Sequence, residues 1–257
     1  SSGDNRLVRG DGSDTINAAN GNDLVIGDNG EINFDAAGII TDIQSTSTDQ
    51  GGADFITLIA GNNTVIAGFG SDEVTTGKGA DDVIGDNGII QYVNGVAVRL
   101  STNDNDVSTT GVDTIIIGDG DNRVLAGLSN DDVTSTNGVD VVLGDNGELT
   151  YTNNILVKAV SSETTFGGID TLNLGEGDNV VIAGHANDSV NTGSDNDIVI
   201  GDHGEINFDL NGVITNIQST ATDQGGDDVI IITDGNNTVI AGFGSDTVTT
   251  GNGADDV

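Results

Sequence analysis

The chain has 257 residues, with 6 Lys and Arg against 42 Asp and Glu, a net charge of -36, and no Trp, Met, Cys or Pro. That balance argues against nucleic acid as a partner, rules out disulfides as a staple, and leaves little for an ordinary globular core, since aromatics are 3%. No apolar run approaches the length of a membrane span.

The chain opens on a partial unit, residues 1–26, in which Asn5, Asp14 and Asp23 fall at intervals of nine. Ser1 begins no signal sequence, so the termini read as cuts within a longer array. The first complete unit starts with the tetrapeptide Gly27-Asp28-Asn29-Gly30. Counterparts begin at Gly85, Gly144 and Gly201, at spacings of 58, 59 and 57 residues. The units are therefore 27–84, 85–143, 144–200 and 201–257, read as one continuous solenoid. Residues 27–83 and 201–257 agree at 43 of 57 positions, which points to duplication within a long array.

Each tetrapeptide is followed by about 20 residues with a hairpin pattern. In the first unit, Glu31-Ile32-Asn33-Phe34-Asp35 and Ile39-Ile40-Thr41-Asp42-Ile43 flank a turn near Gly38. The later turns fall at Asn94-Gly95, Asn153-Asn154 and Asn211-Gly212, residues that tolerate the positive φ of a tight hairpin. Alternation predicts one shared face for Ile39, Thr41 and Ile43, and another for Val96, Val98 and Leu100. Phe34, Tyr92, Tyr151 and Phe208 recur at one hairpin position, where they would pin each hairpin onto the stack or form an exposed aromatic row. Arg99 and Lys158 also occupy matching hairpin positions, either solvated or paired with acidic neighbours across units.

The rest of each unit repeats every nine residues. It brings up Asp54, Asn63, Asp72 and Asp81 in the first unit, then Asp113, Asn122, Asp131 and Asp140. Asp170, Asn179, Asp188 and Asp197 follow, and then Asp228, Asn237, Asp246 and Asp255. Gly usually lies two residues before the acid and Val or Ile two after. Gly lets a turn adopt positive φ and aim its carbonyls inward, and the aliphatic residue points into a core between strands. Two such segments make one coil. Residues 18 apart, such as Asp54 and Asp72, then stack on one edge, with Asn63 and Asp81 on the other. Rows of carboxylates repel one another, so folding calls for a cation to neutralise them. Calcium takes 6–8 oxygen ligands from carboxylates and carbonyls, which is what this turn offers.

The segments Gly68-Phe69-Gly70-Ser71-Asp72-Glu73-Val74, Gly77-Lys78-Gly79-Ala80-Asp81-Asp82-Val83 and Gly242-Phe243-Gly244-Ser245-Asp246-Thr247-Val248 resemble the RTX, or hemolysin-type, calcium-binding repeat. The resemblance covers the nonapeptide blocks and leaves the hairpins outside. It implies an all-β fold, a parallel β-roll or β-solenoid of nonapeptide coils with an inserted β-hairpin in each 58-residue repeat. It also implies several bound Ca2+ ions and type I secretion to the cell exterior or surface. Carried onto this chain, the ligands are Asp14, Asp23, Asp54, Asp72, Asp81, Asp113, Asp131, Asp140, Asp170, Asp188, Asp197, Asp228, Asp246 and Asp255. Asp28, Asp86, Asp145 and Asp202 of the tetrapeptides would either complete sites at the hairpin junctions or cap their turns. Departures are visible. Gly61-Asn62-Asn63 lacks a carboxylate, and Ser129-Asn130-Asp131 and Ala186-Asn187-Asp188 lack the second Gly, so fewer ions than Asp-bearing turns are expected.

No catalytic constellation stands out. His185 aligns with Phe69 and His203 with Asn29, which reads as drift within the repeat, and no G-x-S-x-G elbow or zinc-type spacing occurs. The expected function is a non-enzymatic extracellular structural module, such as an adhesin stalk, biofilm-matrix or surface filament. It would self-associate through hairpin edges or bind cell-surface and matrix components, with no nucleic acid and no membrane span. The alternatives are the calcium-folding block of a secreted toxin or hydrolase, and an ice-binding solenoid, for which Thr75-Thr76, Thr134-Ser135-Thr136 and Thr249-Thr250 are suggestive.

Overall fold

The computed structural model describes residues 3–104, 108 and 110–257; the first two residues of the partial unit lie outside them. The described chain is all-β. Its short Val- and Ile-rich strands, closed off by glycine turns, pair in parallel with the strands of the next coil. Two nine-stranded parallel sheets run from end to end. An outer sheet contains Thr15–Asn20, Phe55–Ala60 and Glu73–Thr75 and continues to Thr247–Thr249. An inner sheet contains Leu24–Ile26, Thr64–Ile66 and Asp82–Ile84 and continues to Thr238–Ile240.

The residue two after each nonapeptide Asp or Asn points between these sheets. Ile16, Val25, Ile56, Val65, Val74, Val83, Ile115 and Val124 are all buried there, as are their later counterparts up to Val239, whereas Val248 is half-buried and Val257 is exposed. Small or aliphatic residues two positions further on, such as Leu58, Ala67, Ile117 and Ala126, complete this first core. Every coil thus repeats one packing arrangement, and strand register cannot slip by one residue without turning this column to solvent.

The hairpins do not stand out singly from the roll. They join into a third, eight-stranded antiparallel sheet that lies over the inner sheet. Ile43 pairs with Ile90, Leu100 with Leu149, and Ala159 with Ile206 across successive hairpins. These residues pack on Ile26, Ile66, Ile84, Leu125, Leu143, Ile182 and Ile200 in a second core. The inner sheet is therefore buried on both faces, which explains its apolar runs such as Leu24-Val25-Ile26 and Val141-Val142-Leu143.

Simple alternation fails in the hairpins for a local reason. The register shifts just before the aromatic residue in all four, between Asn33 and Phe34, Gln91 and Tyr92, Thr150 and Tyr151, and Asn207 and Phe208. Such a bulge flips the following residues to the other face. Ile40 and Ile43, rather than Ile39, face the second core, and so do Ala97 and Leu100, rather than Val96. Tyr92, Tyr151 and Phe208 pin their hairpins to that core, whereas Phe34 is exposed beneath the Arg6 guanidinium, 5.3 Å from its ring centroid. Arg99 and Lys158 reach across units, to Glu148 at 2.6 Å and Glu205 at 3.7 Å.

Candidate metal-binding edges

Each coil turns twice, and the two edges have different chemistry. At the first edge the chain leaves the inner sheet, detours through a hairpin on every second coil, and enters the outer sheet. At the second edge it passes from the outer sheet back to the inner one. The stacking expected from spacing is present at both, and main-chain hydrogen bonds run between coils along each.

The first edge stacks Asp14, Asp54, Asp72, Asp113, Asp131, Asp170, Asp188, Asp228 and Asp246. The N–H of each donates to Oδ1 of the next, at 2.6–3.0 Å. Oδ2 of Asp54, Asp72, Asp113, Asp131, Asp170, Asp188 and Asp228 is buried and has no hydrogen-bond partner. Burial, then neighbouring carboxylates, push Asp72 and Asp188 up to about 10 from the ordinary 3.8. Burial likewise takes Asp113 and Asp170 to about 8 and Asp228 to about 7. Adjacent coils lie about 4.8 Å apart, so each neighbouring carboxylate pair costs about 3 kcal/mol at an effective dielectric of about 20. Buried, partly unpaired and repulsive when ionised, this row is relieved by protonation or by a counter-charge.

Oxygen atoms converge beside the row. A methyl group added at Gly27 would collide with the Ala67 carbonyl and with Oδ2 of Asp54. The same convergence recurs at Gly85 with Ala126 and Asp113, at Gly144 with Ala183 and Asp170, and at Gly201 with Ala241 and Asp228. A carbonyl oxygen and an unsatisfied carboxylate oxygen thus meet at one place in every unit. Among the described residues no three His, Cys, Asp or Glu side chains close on a single point. A cation here would take main-chain carbonyls beside its carboxylates, which is the donor set of calcium rather than zinc.

The tetrapeptide aspartates sit against the same edge. Asp28 accepts from the N–H groups of Gly52 at 3.2 Å and Phe69 at 2.6 Å, tying the hairpin's return to the next coil. Asp86 accepts from Leu128, Asp145 from Gly168 and His185, and Asp202 from Gly226 and Phe243. They are caps by geometry, and they also stand near the row. Burial and Asp54 raise Asp28 to about 7, and burial and Asp113 push Asp86 well above the carboxylate range.

The second edge stacks Asn5, Asp23, Asn63, Asp81, Asn122, Asp140, Asn179, Asp197, Asn237 and Asp255. It repeats the N–H to Oδ1 ladder at 2.8–3.1 Å. Here an amide alternates with every carboxylate. A signal unread in the sequence lies five residues before the acid, where Thr76, Ser135, Thr192 and Thr250 recur. Thr192 donates to Asp197 at 2.8 Å. Burial raises Asp81 and Asp197 to about 6, and for Asp197 the Asn179 N–H and the Thr192 hydroxyl pull the other way. Thr76, Ser135 and Thr192 are buried, so these hydroxyls do not extend a threonine ladder on the surface.

Two missing glycines leave a mark. Ser129 and Ala186 adopt φ of 93° and 76°, where the equivalent Gly70 and Gly244 have 107° and 133°. Both histidines, 18 residues apart, come together with ring centroids 5.9 Å apart. Burial, then His185, lower His203 to about 4, so it is neutral in the place that Asn29, Asn87 and Asn146 hold in the other units. Beneath the hairpin sheet, Arg123 donates from Nη2 to Asp82 at 2.6 Å and lies 4.6 Å from the Tyr151 ring centroid.

No curated protein and no solved structure matches the chain. The family model for the RTX calcium-binding nonapeptide repeat matches four times, at residues 1–31, 59–89, 164–199 and 222–257. These stretches contain turns of both edges and leave most of the hairpin sequence aside. With just over half of its residues matched, the chain belongs to the RTX calcium-binding nonapeptide-repeat family.

Proposed function

We propose that this chain is a calcium-folded structural module of a secreted protein, serving as a rigid spacer in a stalk, adhesin or matrix filament, and performing no catalysis. The observation that carries this reading is the uninterrupted first-edge row of buried carboxylates with unsatisfied oxygens, repeated without change of plan along the solenoid. Bound calcium supplies the charge that lets the row stack. Asp14, Asp54, Asp72, Asp113, Asp131, Asp170, Asp188, Asp228 and Asp246 would hold it, with Asp28, Asp86, Asp145 and Asp202 at the hairpin junctions. In a cytoplasm poor in calcium the net charge of -36 keeps the chain open, which suits export unfolded and folding outside. Among the described residues no helix is long and apolar enough to cross a membrane.

A stack in which each coil touches only its neighbours suits reach rather than a single site. Among the described residues, the outermost strands of the hairpin sheet are Gly30–Phe34 and Ile214–Ser219. In this reading they are the edges through which copies or further units pair. Small-angle scattering with and without calcium tests the proposal. A rod about 40 Å long, from nine coils at about 4.8 Å each, is expected in calcium and an expanded coil in chelator. A compact rod in both would remove calcium as the folding partner.

A further inference from the structure

The two edges cannot be equivalent partners for calcium. The geometry points to a division of labour: calcium is held along the first edge alone, and the second edge is a carboxamide–carboxylate clasp that closes without a cation. This inference rests on the calcium reading above and adds where on the solenoid the ions lie.

The deciding feature is adjacency. A cation between two stacked turns draws on the carboxylates of both coils. On the first edge every coil supplies an Asp, from Asp14 to Asp246, and seven of these have a buried oxygen without a partner. At the repeating position of the second edge no two carboxylates stack directly, because Asn5, Asn63, Asn122, Asn179 and Asn237 stand between Asp23, Asp81, Asp140, Asp197 and Asp255; the acids near them, Asp121 beside Asp140 and Asp178 beside Asp197, lie outside that column. Asp23, Asp81 and Asp140 do keep one oxygen without a hydrogen bond, yet each faces an amide on either side.

The amides perform the cation's work there. Asn5, Asn63, Asn122 and Asn237 donate from Nδ2 to Oδ1 of Asp23, Asp81, Asp140 and Asp255, at 2.6–3.0 Å. Their own Oδ1 atoms accept the N–H of the preceding coil's acid, as Asn63 does from Asp23 at 3.1 Å and Asn122 from Asp81 at 3.0 Å. Asn63 and Asn122 also donate to the carbonyls of Gly61 at 2.9 Å and Gly120 at 2.8 Å, so these turn carbonyls are directed at an amide. The cradle formed beside Gly27, Gly85, Gly144 and Gly201 belongs to the first edge. Each hairpin departs and returns at that edge, so calcium there fastens the third sheet as well as the coils.

The test counts bound calcium per full-length chain by mass spectrometry of the metal, at about 1 mM free calcium. It also follows the calcium midpoint of folding by circular dichroism. Replacing the second-edge acids together (Asp81→Asn, Asp140→Asn, Asp197→Asn) is expected to leave the ion count unchanged and the midpoint within twofold. The matching first-edge triple (Asp72→Asn, Asp131→Asn, Asp188→Asn) is expected to lose ions and raise the midpoint at least tenfold. Should that triple not fold at any calcium concentration, Asn122→Asp with Asn179→Asp decides the question from the other side. It makes second-edge carboxylates adjacent and should add bound ions. A second-edge triple that loses ions overturns the assignment while leaving calcium binding intact. A wild-type chain with no bound calcium removes the calcium reading itself.

Discussion

At the residue scale, the fold stands on carboxylates placed where carboxylates are costly. For Asp72, Asp113, Asp170 and Asp188 the pKa in the folded chain lies well above the ordinary 3.8, because burial disfavours the charged form. A raised pKa destabilises the fold at high pH and relieves it as pH falls toward the unfolded value. In chelator, acidification from pH 8 to about 4 should therefore raise β content, as circular dichroism would record. With calcium the sign reverses, since protons compete for the ligands, and the calcium midpoint should rise on acidification. The strained turns give a second prediction. Ser129→Gly and Ala186→Gly relieve a positive φ and should each stabilise the calcium-loaded chain by about 1 kcal/mol, read as a higher melting temperature. Gly85→Ala should do the opposite, by about 2 kcal/mol, because its methyl meets the Ala126 carbonyl and Asp113.

At the scale of elements, the hairpins are a third layer rather than appendages. Tyr151 packs against the second core and against Arg123, whose charge is met by Asp82. Tyr151→Ala should cost about 3 kcal/mol and should selectively speed amide exchange in Gly147–Thr152 and Ile155–Ser161. Equal acceleration across the inner sheet would show that the layers unfold together. The nonapeptide coils were legible in the sequence because one residue class recurs at one spacing: Ile56, Val65, Val74 and Val83 mark the core, and Asp54 and Asp72 the edge. The hairpins were legible as elements from Asn94-Gly95 and Asn153-Asn154. Their assembly was not, because pairing between Leu100 and Leu149 is set by the stacking of successive units and not by any local pattern. The bulge before each aromatic residue also left no mark in the alternation. Of the candidate site, the carboxylate rows were readable. The Ala67 and Ala126 carbonyls were not, since any residue carries one, and the hydroxyls at Thr76 and Thr192 were visible only as a spacing whose meaning needed the turn.

At the scale of the molecule, two cores share the inner sheet and the outer sheet leaves one face to solvent. Among the described residues each coil pairs with the next coil and each hairpin with the next hairpin, so stability is a sum over neighbours, and loss of a counter-charge on the first edge should be felt along its whole length. The most direct test of the account is a calcium titration of the full chain followed by far-UV circular dichroism, from excess chelator to about 10 mM calcium, with magnesium in parallel. Magnesium holds its waters tightly and demands a near-ideal octahedron, so it should not substitute. A cooperative passage from coil to β is expected between micromolar and millimolar calcium, and none with magnesium. A chain already β-structured in chelator at neutral pH would contradict it, and would make the first-edge aspartates turn caps on a solenoid that stands without metal.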